Sequence, residues 1–535
     1  MRSSDRVPPA ETPTPLAVIL AAGEGSRLRS RRSSVPKPLV RLRGLSIAER
    51  SIAQLLMAGV ERIVVVLGHD AALVRHEFER VAQRRGCDIS FVEATDWEKG
   101  NGCSVVAAAP LVGDRPFLLT MVDHLLAPEI IRHVLADPPA QDEVALAVDH
   151  DTGNVFDVPD LTKVEVSEGR IAAIGKDLQT WNAGDTGLLY CSSRLFEGLA
   201  RAHRQGKFSL TDGIEECVAH GGVRAIDVTG EAWLDVDTPE AFQEAMRRID
   251  GVMAKGGEDG FISQYINRPL SRRLSVALSR TPLTPNHITL LSFCMGLAGA
   301  VGLITTDPWL WIAGGILIQI ASIVDGCDGE VARVKLLHSP HGAWLDTVLD
   351  RYADLAIGLA VTFAAAQLHD AFWVWPAGFI ATASFLMASY VTKEFQIQFH
   401  RRYPNNLVNK LKRRDLRIFV IAIGAVMGQP LVALLAIGLL THLVVLHILV
   451  FGGRTALLPS DVVTPRAESD RSLEPVSLYV RVDVTPDHGG GTAAAVSLPN
   501  VYLAEQTGEP VPANAIRASG GERSDGPVQT SWQKW

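Results

Sequence analysis

The sequence has few cysteines, and it lacks the apolar start of a secreted protein. Only six of its 535 residues are cysteines, and none forms a C-x-x-C pair. Neither a disulfide framework nor a zinc site is therefore expected, and scattered thiols fit a reducing compartment. The N-terminal stretch "MRSSDRVPPAETPTP" contains no hydrophobic segment. We therefore expect no cleavable signal peptide, and a first domain that stays in the cytosol.

The sequence also lacks a strong excess of charge, and its first half lacks long apolar runs. The formal net charge of −8 argues against bulk binding of nucleic acid. Long apolar stretches are confined to the part between Asn286 and Phe451. These shifts predict a disordered tail over 1–14, a soluble domain over 15–250, a linker with a juxtamembrane helix over 251–286, a membrane domain over 287–455, and a disordered tail over 456–535.

The soluble domain alternates short apolar runs with helical patterns. "LAVILAAG", "ERIVVVLG", "PFLLTMVD" and "EVALAVD" are typical of buried strands, and segments such as "IAERSIAQLLMAG" separate them. Strands that alternate with helices predict a mostly parallel, doubly wound, Rossmann-like α/β sheet.

The membrane domain is predicted to be all-α, with six transmembrane helices over 287–305, 308–324, 342–366, 372–391, 416–428 and 430–452. The fifth is short for a span of about 20 residues. The connection over 392–417 is rich in lysine and arginine, whereas "TTDP", "QLHD" and "MGQP" contain neither. With a cytosolic N-terminus, six spans place every basic loop in the cytosol. We therefore expect a multi-pass protein of the cytoplasmic membrane, with the soluble domain and C-terminal tail inside.

The segment before the first span is predicted to be an amphipathic helix. Leu270, Leu274 and Leu278 recur at helical spacing, opposite basic residues such as Arg272 and Arg273. This pattern suits an anionic membrane surface. The alternative is a helix that packs against soluble protein.

A first chemical motif, "LAAGEGSRLRSRRSSVPKPLV", follows the first strand. Gly23 and Gly25 form a loop whose backbone amides can approach phosphates at the opening of a helix. It is not a P-loop, because no G-K-[ST] follows. Arg27 and Lys37 supply two cations that can neutralise a triphosphate, which nucleotidyl transfer requires.

Residues 15–245 resemble the sugar-nucleotidyltransferase family, whose signature L-A-A-G-x-G-x-R-L is followed by P-K-P-L. "WEKGNGCSVVAA", "MVDHLL", "TKVEVSEGRIAAIGKDL", "DTGLLYCS" and "WLDVDTPEAF" resemble its inositol-1-phosphate cytidylyltransferase branch. The resemblance implies that CTP is a substrate and that Arg27 and Lys37 are catalytic. It also implies that CTP is bound by the loop of Leu20, Ala21, Ala22, Gly23 and Gly25. It further implies a base pocket of Asn101, Gly102 and Ser104, and contacts to the alcohol phosphate from Lys163, Lys176 and Asp185.

The same resemblance implies that Asp123 and Asp237 hold Mg²⁺, with Asp235 as a rival for the second position. A carboxylate at the carboxyl end of a strand is where open α/β sheets bind ligands. Two such oxygen ligands together with substrate phosphates suit Mg²⁺, and Mn²⁺ is an alternative.

A second chemical motif lies between two apolar helices, in "DGCDGEVARVKLLHSPHGAWLDTVLD". Asp325 and Asp328 are three residues apart and Asp346 and Asp350 are four apart, so each pair shares a helix face. A carboxylate at bilayer depth costs about 2.5–3.5 kcal/mol on insertion scales. Four convergent carboxylates are tolerated if they bind one or two hard divalent cations.

The pattern D-x-x-D-G-x-x-A-R, eight residues, then G-x-x-x-D-x-x-x-D is the signature of the CDP-alcohol phosphotransferase family, which residues 260–452 resemble. The resemblance implies that Asp325, Asp328 and Asp346 bind metal, and that Asp350 binds metal and acts as base on the acceptor hydroxyl. Gly329 and Ala332 keep the helix face slim enough for a nucleotide, Arg333 adds a cation, and Gly342 completes the signature.

The fusion resembles bifunctional enzymes that join an inositol-1-phosphate cytidylyltransferase to a CDP-inositol:inositol-phosphate transferase. It implies synthesis of a CDP-alcohol, then transfer of the phospho-alcohol to an acceptor with release of CMP. Arg413 and Arg414 are candidates for the acceptor phosphate, or they serve only topology. Alternatives are a lipid acceptor, an inactive first domain serving as a scaffold, and a transporter with a nucleotide-binding domain. A homodimer through the membrane domain is compatible with the sequence.

Overall fold

The computed structural model describes residues 15–457, except 26, 29–34, 155, 157–158, 254–258, 370, 401–402 and 405. The predicted tail over 1–14 and almost all of the tail over 456–535 lie outside the described residues. The described part comprises a sheet-containing N-terminal domain and a helical C-terminal domain, as predicted.

The N-terminal domain is built from thirteen strands and seven α-helices in the described part of the chain. The strands are β1 Leu16–Ala21, β2 Arg41–Leu42, β3 Leu45–Ser46, β4 Arg62–Leu67, β5 Asp88–Glu93, β6 Phe117–Met121, β7 His124–Leu126, β8 Val144–Asp149, β9 Lys163–Ser167, β10 Arg170–Gly175, β11 Ala183–Cys191, β12 Val223–Asp227 and β13 Trp233–Asp235. The helices are α1 Ile47–Met57, α2 Ala71–Arg85, α3 Asn101–Val112, α4 Pro128–Leu135, α5 Arg194–Arg204, α6 Leu210–Ala219 and α7 Pro239–Val252.

Nine of the described strands form one sheet in the order β5-β4-β1-β6-β11-β8-β12-β10-β9. The half formed by β5, β4, β1 and β6 is parallel, as predicted. The other half is mixed, because β11 runs antiparallel to both β6 and β8 and a tight hairpin joins β9 to β10. The prediction of a mostly parallel sheet was therefore right for the half that carries the first motif and wrong for the other half.

Both faces of the sheet are covered, which explains why β1 is a continuous apolar run. Ala17, Ile19 and Ala21 of β1 belong to the core on the side of α1, α2 and α4. The alternate residues Leu16, Val18 and Leu20 belong to the core on the side of α3, α5 and α6. The alternation places every side chain of β1 in a buried layer.

The C-terminal domain is helical throughout its described residues. Its helices are α8 Arg268–Ser279, α9 Pro285–Leu303, α10 Pro308–Val334, α11 Pro340–Leu368, α12 Val374–Phe399, α13 Leu407–Leu411, α14 Arg414–Val426 and α15 Pro430–Leu457. Among the described residues, four helices are long and apolar enough to cross a membrane: α9, α10, α12 and the part Pro430–Gly452 of α15.

The two other predicted spans fall on α11 and α14. α11 has 29 residues, but Asp346, Asp350, Arg351 and Asp354 lower the apolarity of its first half. α14 has 13 residues, which is short for a bilayer. Six helices thus lie where spans were predicted, and the count of six crossings stays a prediction.

The juxtamembrane helix α8 packs on α10 through three serines and, near its end, through Leu278. Ser271, Ser275 and Ser279 are buried, whereas Leu270 and Leu274 are exposed. One face of α8 therefore contacts protein, and Leu270 and Leu274 lie exposed outside that contact. The packing alternative is thus confirmed for one face of this helix, and contact of the other face with a membrane surface stays a prediction.

Glu330 of α10 holds this contact together. Its carboxylate is fully buried and accepts hydrogen bonds from Ser271 Oγ (2.8 Å), Ser275 Oγ (2.7 Å) and Arg268 Nη1 (2.8 Å). Removing one partner of a buried ion pair leaves an uncompensated charge, which typically costs about 3–5 kcal/mol.

We therefore expect Glu330→Ala to lower the unfolding temperature of the detergent-solubilised protein strongly. Glu330→Gln, which keeps the shape and an acceptor oxygen, is expected to cost less. Thermal unfolding of the two variants beside the parent measures both effects. Equal midpoints for Glu330→Ala and the parent would contradict the assignment of Glu330 as the anchor of α8.

Two candidate active sites

The first site lies at the carboxyl end of the parallel half of the sheet. β1 ends at Ala21, between β4 and β6, and the buried Ala22 leads into the glycine loop. Gly25 has φ +63°, and a Cβ there would lie 2.7 Å from Lys37 Cβ. Only glycine allows the loop to pass this close to Lys37, so the sequence pattern and the backbone agree.

Lys37 forms the centre of this site. It begins a short 3₁₀ turn, Lys37–Leu39, between two prolines, and is only 6% exposed. Its Nζ lies 2.5 Å from Asp123 Oδ2 and also donates to Asp237 Oδ1. The structure thus joins the predicted cation to both predicted carboxylates.

Arg27 and Lys176 reach the same centre through an aspartate that the sequence interpretation missed. Arg27 Nη1 donates to Asp160 Oδ2 at 2.6 Å, and Arg27 Nη2 lies 3.2 Å from Asp237 Oδ2. Lys176 Nζ donates to Asp160 Oδ1 at 2.6 Å. Asp160 lies in a loop without a recognisable pattern, so nothing in the sequence pointed to it. Lys163, the first residue of β9, instead lies with its Nζ 5.9 Å from the ring centroid of Trp181.

A group of metal-ligand type surrounds Asp123. One oxygen or nitrogen atom from each of Asp123, His124 and Asp235 lies within 4.8 Å of the others. His124 Nδ1 is 3.2 Å from Asp123 Oδ1, and His124 Nε2 is 4.0 Å from Asp235 Oδ2. His124 was missed, although it directly follows Asp123 in the sequence. In this geometry Asp235 groups with the histidine, and Asp237 groups with Lys37.

Burial and charge oppose one another in this group. Burial lowers the pKa of His124, but the carboxylates of Asp235 and Asp123 outweigh it and raise that pKa to about 9. Burial raises the pKa of Asp123, but Lys37 and His124 outweigh it and hold that pKa well below its usual range. Burial also raises the pKa of Asp235 and that of Asp185. Asp185 Oδ1 accepts a hydrogen bond of 2.7 Å from Gly187 N.

The predicted base-pocket residues begin α3 and contact the start of α6. Asn101 Oδ1 accepts a hydrogen bond from Leu210 N at 2.7 Å. Gly102 N donates to Phe208 O at 3.0 Å, and a Cβ at Gly102 would lie 2.6 Å from that oxygen. Ser104 is buried. These contacts account for the glycine and the asparagine structurally, and contact with a base stays a prediction.

The second site lies between α9, α10, α11 and α14. Carboxylate oxygens of Asp325, Asp328 and Asp346 lie within 4.8 Å of one another. A small cleft adjoins Asp325, and Asp350 and Arg414 are among its other lining residues. The spacing argument thus brought the two pairs of aspartates together correctly.

Hydroxyl groups of α9, which the sequence interpretation missed, orient the first pair of aspartates. Thr289 Oγ1 donates to Asp328 Oδ2 at 2.6 Å, and Ser292 Oγ donates to Asp325 Oδ1 at 3.2 Å. They lie three residues apart on one face of a span, a spacing that could have identified them.

Arg414 lies among the aspartates. Its Nη1 is 3.1 Å from Asp325 Oδ2 and 2.8 Å from Asp350 Oδ1, and its Nε is 3.0 Å from Asp354 Oδ1. Asp354 is buried, and it also contacts Arg351 (3.2 Å) and Arg417 (3.4 Å). The sequence interpretation missed Asp354, although it continues the four-residue spacing of Asp346 and Asp350.

The remaining signature residues take separate positions. Gly329 N donates to Asp328 Oδ1, and Ala332 is 9% exposed. A Cβ at Gly342 would lie 3.0 Å from both Asn286 Oδ1 and Ser339 Oγ. Arg333 donates to backbone carbonyls at the end of α7 rather than facing the aspartates. Arg413 is the residue before α14, and Arg414 is the first residue of that helix.

Both centres fit a divalent cation. Within the described residues, Asp235 Oδ1 is buried and has no hydrogen-bond partner, as expected of a ligand oxygen. In the second centre the three converging ligands are all carboxylates, the donor set that hard divalent cations prefer. Asp123 and Asp235 would hold a cation in the first centre, with His124 beside them, and Asp325, Asp328 and Asp346 would hold one in the second.

Comparisons with known proteins agree with this division. Residues 17–217 match the family described as "MobA-like NTP transferase domain", and residues 282–451 match "CDP-alcohol phosphatidyltransferase". The chain is 38% identical to the "Bifunctional IPC transferase and DIPP synthase" of Rubrobacter xylanophilus, over 79% of this chain and 93% of that protein. It is 34% identical to the protein of that name from Aquifex aeolicus, over 80% of this chain and 95% of that protein. The solved inositol-1-phosphate CTP transferase from T. maritima is 28% identical, covering 44% of this chain and 96% of that one, with a TM-score of 0.40.

Proposed function

The chain belongs to the family of bifunctional IPC transferases and DIPP synthases, and we propose that it carries out two consecutive transfers, one in each domain. The N-terminal domain transfers the cytidylyl group of CTP to inositol 1-phosphate. The membrane domain transfers the phospho-inositol of the resulting CDP-inositol to a second inositol phosphate. The products are di-myo-inositol phosphate phosphate and CMP.

In the first transfer, a phosphate oxygen of inositol 1-phosphate attacks the α-phosphorus of CTP, and pyrophosphate leaves. Lys37 and Arg27 supply positive charge where the negative charge of the transferred group develops. Lys176 and Arg27 both contact Asp160, so the cations proposed to hold the two substrates lie beside one another. Bound Mg²⁺ would add Lewis-acid stabilisation of the same charge.

In the second transfer, the acceptor hydroxyl attacks the β-phosphorus of CDP-inositol, and the bond to CMP breaks. Asp350 accepts the hydroxyl proton, and Arg414 orients its carboxylate from 2.8 Å. Thr289 and Ser292 fix the carboxylates of Asp328 and Asp325. A cation held by Asp325, Asp328 and Asp346 would neutralise the diphosphate.

The observation that carries the proposal is that each signature is complete and has its own centre of carboxylates and cations in one chain. The test is to incubate purified membranes that contain the protein with labelled CTP, Mg²⁺ and a panel of alcohol phosphates. We expect CDP-inositol first and CMP with the double inositol phosphate later. A parallel reaction with labelled inositol 1-phosphate, whose phosphorus and inositol stay with the transferred group, identifies the acceptor. Label that accumulates in lipid would favour the lipid acceptor instead.

Metal removal is expected to abolish both transfers, because both centres rest on carboxylates that need a cation beside the substrate phosphates. Each half-reaction is measured separately, from CTP and from supplied CDP-inositol, after treatment with a chelator. Mg²⁺ or Mn²⁺ should restore both. A half-reaction that persists after thorough chelation would remove the cation from that half of the proposal.

The two arginines at the start of α14 are expected to behave differently. Arg414 contacts the catalytic aspartates, so Arg414→Gln should lower kcat for CMP release. Arg413→Gln should mainly raise the KM for the acceptor inositol phosphate, if that residue binds its phosphate. Steady-state kinetics with supplied CDP-inositol separate the two effects. An unchanged acceptor KM in correctly inserted Arg413→Gln protein leaves that arginine only its role in topology.

We further propose that the protein is integrated in the cytoplasmic membrane with both centres and the C-terminal tail on the cytosolic side. The four long apolar helices support integration, and the basic connection over 392–417 supports the sidedness. A homodimer through the membrane domain is part of the same proposal. Protease accessibility in inverted vesicles tests the orientation.

A further inference from the structure

The helix that carries Asp325 and Asp328 ends against the nucleotidyltransferase domain. α10 ends at Val334, and Leu336 follows in the left-handed region with φ +52°. The carbonyl groups of the last helical turn and of the residues that follow need donors from elsewhere. A cation at this end also interacts favourably with the helix dipole.

Arg85, the last residue of α2 in the N-terminal domain, supplies those donors. Its Nη2 donates to Lys335 O and its Nη1 donates to Leu336 O, both at 2.9 Å. The side chain is only 9% exposed and is held from behind by Glu49, whose Oε1 lies 3.2 Å from Arg85 Nη2. Glu49 itself is 2% exposed. The contact is therefore a buried, charge-assisted cap rather than a surface ion pair.

Two further cations at the end of α10 donate hydrogen bonds to neighbouring segments. Arg333 donates to Val252 O (3.0 Å) and Met253 O (2.9 Å) at the end of α7. Lys335 Nζ donates to Thr281 O (2.7 Å) and Leu283 O (2.8 Å), in the connection between α8 and α9. The end of α10 is thus tied to the N-terminal domain on two sides and to the entry of the membrane domain on a third.

We propose that Arg85 is a positioning residue for phosphotransfer: through Lys335 O and Leu336 O, the docked nucleotidyltransferase domain fixes the end of α10 and so the placement of Asp325 and Asp328 relative to Asp346. This inference rests on the proposed function of the membrane domain. Asp328 precedes Lys335 by seven residues, about two turns of one rigid helix. The connection that Arg85 holds is also the one that separates Asp328 from Asp346 on α11.

Arg84 offers a matched control. It lies beside Arg85 on α2 and binds the same carboxylate, with Nη1 2.8 Å from Glu49 Oε2, but its side chain is 45% exposed. Its hydrogen bonds in the described structure do not reach α10. Arg84→Gln therefore removes a charge from Glu49 without removing the cap.

The experiment uses the full chain and supplied CDP-inositol, inositol phosphate and a Mg²⁺ titration, with CDP-inositol formation from CTP measured in parallel. For Arg85→Gln we expect the Mg²⁺ concentration for half-maximal CMP release to rise about 10–100-fold, the range for groups that orient metal ligands. CDP-inositol formation should stay within about twofold of the parent. A change of that size corresponds to well under 1.4 kcal/mol in activation free energy. Arg84→Gln should match the parent in both assays, and Arg85→Lys should recover part of the loss.

Three results would overturn the inference. One is an unchanged Mg²⁺ dependence of CMP release in Arg85→Gln. Another is a parallel fall of both activities together with the unfolding temperature, which would show a structural role alone. The third is an equal loss in Arg84→Gln, which would assign the effect to Glu49. If the parent protein releases no CMP from CDP-inositol while forming CDP-inositol normally, the proposed second transfer itself is wrong and this inference falls with it.

Discussion

Asp350→Asn is expected to lower the release of CMP from CDP-inositol by about 10²–10⁴-fold, the usual contribution of a general base. Asparagine keeps the size of the side chain but cannot take the proton of the acceptor hydroxyl. The change also weakens the contact with Arg414, which lies 2.8 Å from Asp350 Oδ1. Formation of CDP-inositol from CTP should continue, because the first centre lies in the other domain and contains no residue of α11. The variant should therefore accumulate CDP-inositol.

The matched control for this change is Tyr352→Phe, two residues further along α11. Tyr352 is 61% exposed and lies outside the cluster of aspartates, so both activities should stay near those of the parent. Chromatography of the reaction with labelled CTP measures the intermediate and CMP together. Normal CMP release by Asp350→Asn would rule out this carboxylate as the base.

The sequence predicted the aspartate centre well because helical spacing and membrane burial both restrict it. Asp325, Asp328, Asp346 and Asp350 follow a helical repeat, and each helix is identified by its apolar run, so the sequence also predicts which faces converge. The alternation of strands and helices likewise predicted the parallel half of the sheet. Residues on one element are related by its period, and a period is visible in a single sequence.

Contacts between elements are not periodic, and the sequence did not reveal them. Arg414 was expected to face an acceptor phosphate or to serve only topology, and in the structure it lies between Asp325 and Asp350. Arg333 was expected beside the nucleotide, yet it contacts the end of α7. Asp160 joins two cations from a loop that has no pattern. Such positions depend on how separate elements pack, which no local repeat records.

The mixed half of the sheet has the same explanation. Strand direction depends on whether a chain returns through a crossover or a hairpin. β11 pairs antiparallel with β6 and β8, although its sequence "AGDTGLLYC" is as buried as that of a parallel strand. An apolar run thus predicts burial of a strand, and the partner determines its direction.

Lys37→Ala is expected to produce the reverse of the loss caused by Asp350→Asn. Lys37 Nζ lies between Asp123 and Asp237, so its removal takes away the cation that stabilises the transferred group and leaves two carboxylates facing one another. Loss of one preorganised charge-stabilising group typically costs about 10²–10³-fold in rate. CMP release from supplied CDP-inositol should remain normal.

The matched control for Lys37→Ala is Lys207→Ala, which removes a lysine whose side chain is 50% exposed and which pairs only with the surface residue Glu215 among the described residues. Both activities should survive in that control. Loss of both activities in Lys37→Ala with an unchanged unfolding temperature would instead require one composite active site.

Mixing the two deficient proteins tests the separation of the sites most directly. Lys37→Ala alone forms almost no CDP-inositol from CTP, and Asp350→Asn alone converts almost none of it to final product. If CDP-inositol leaves one protein and enters the other, the mixture should convert CTP and inositol phosphate into final product, with a delay while CDP-inositol accumulates in solution. The delay should shorten as the concentration of Lys37→Ala protein is raised, since that protein supplies the second centre. A mixture that makes no final product, although each variant carries out its own half-reaction on supplied substrate, would show that the first centre does not release CDP-inositol into solution.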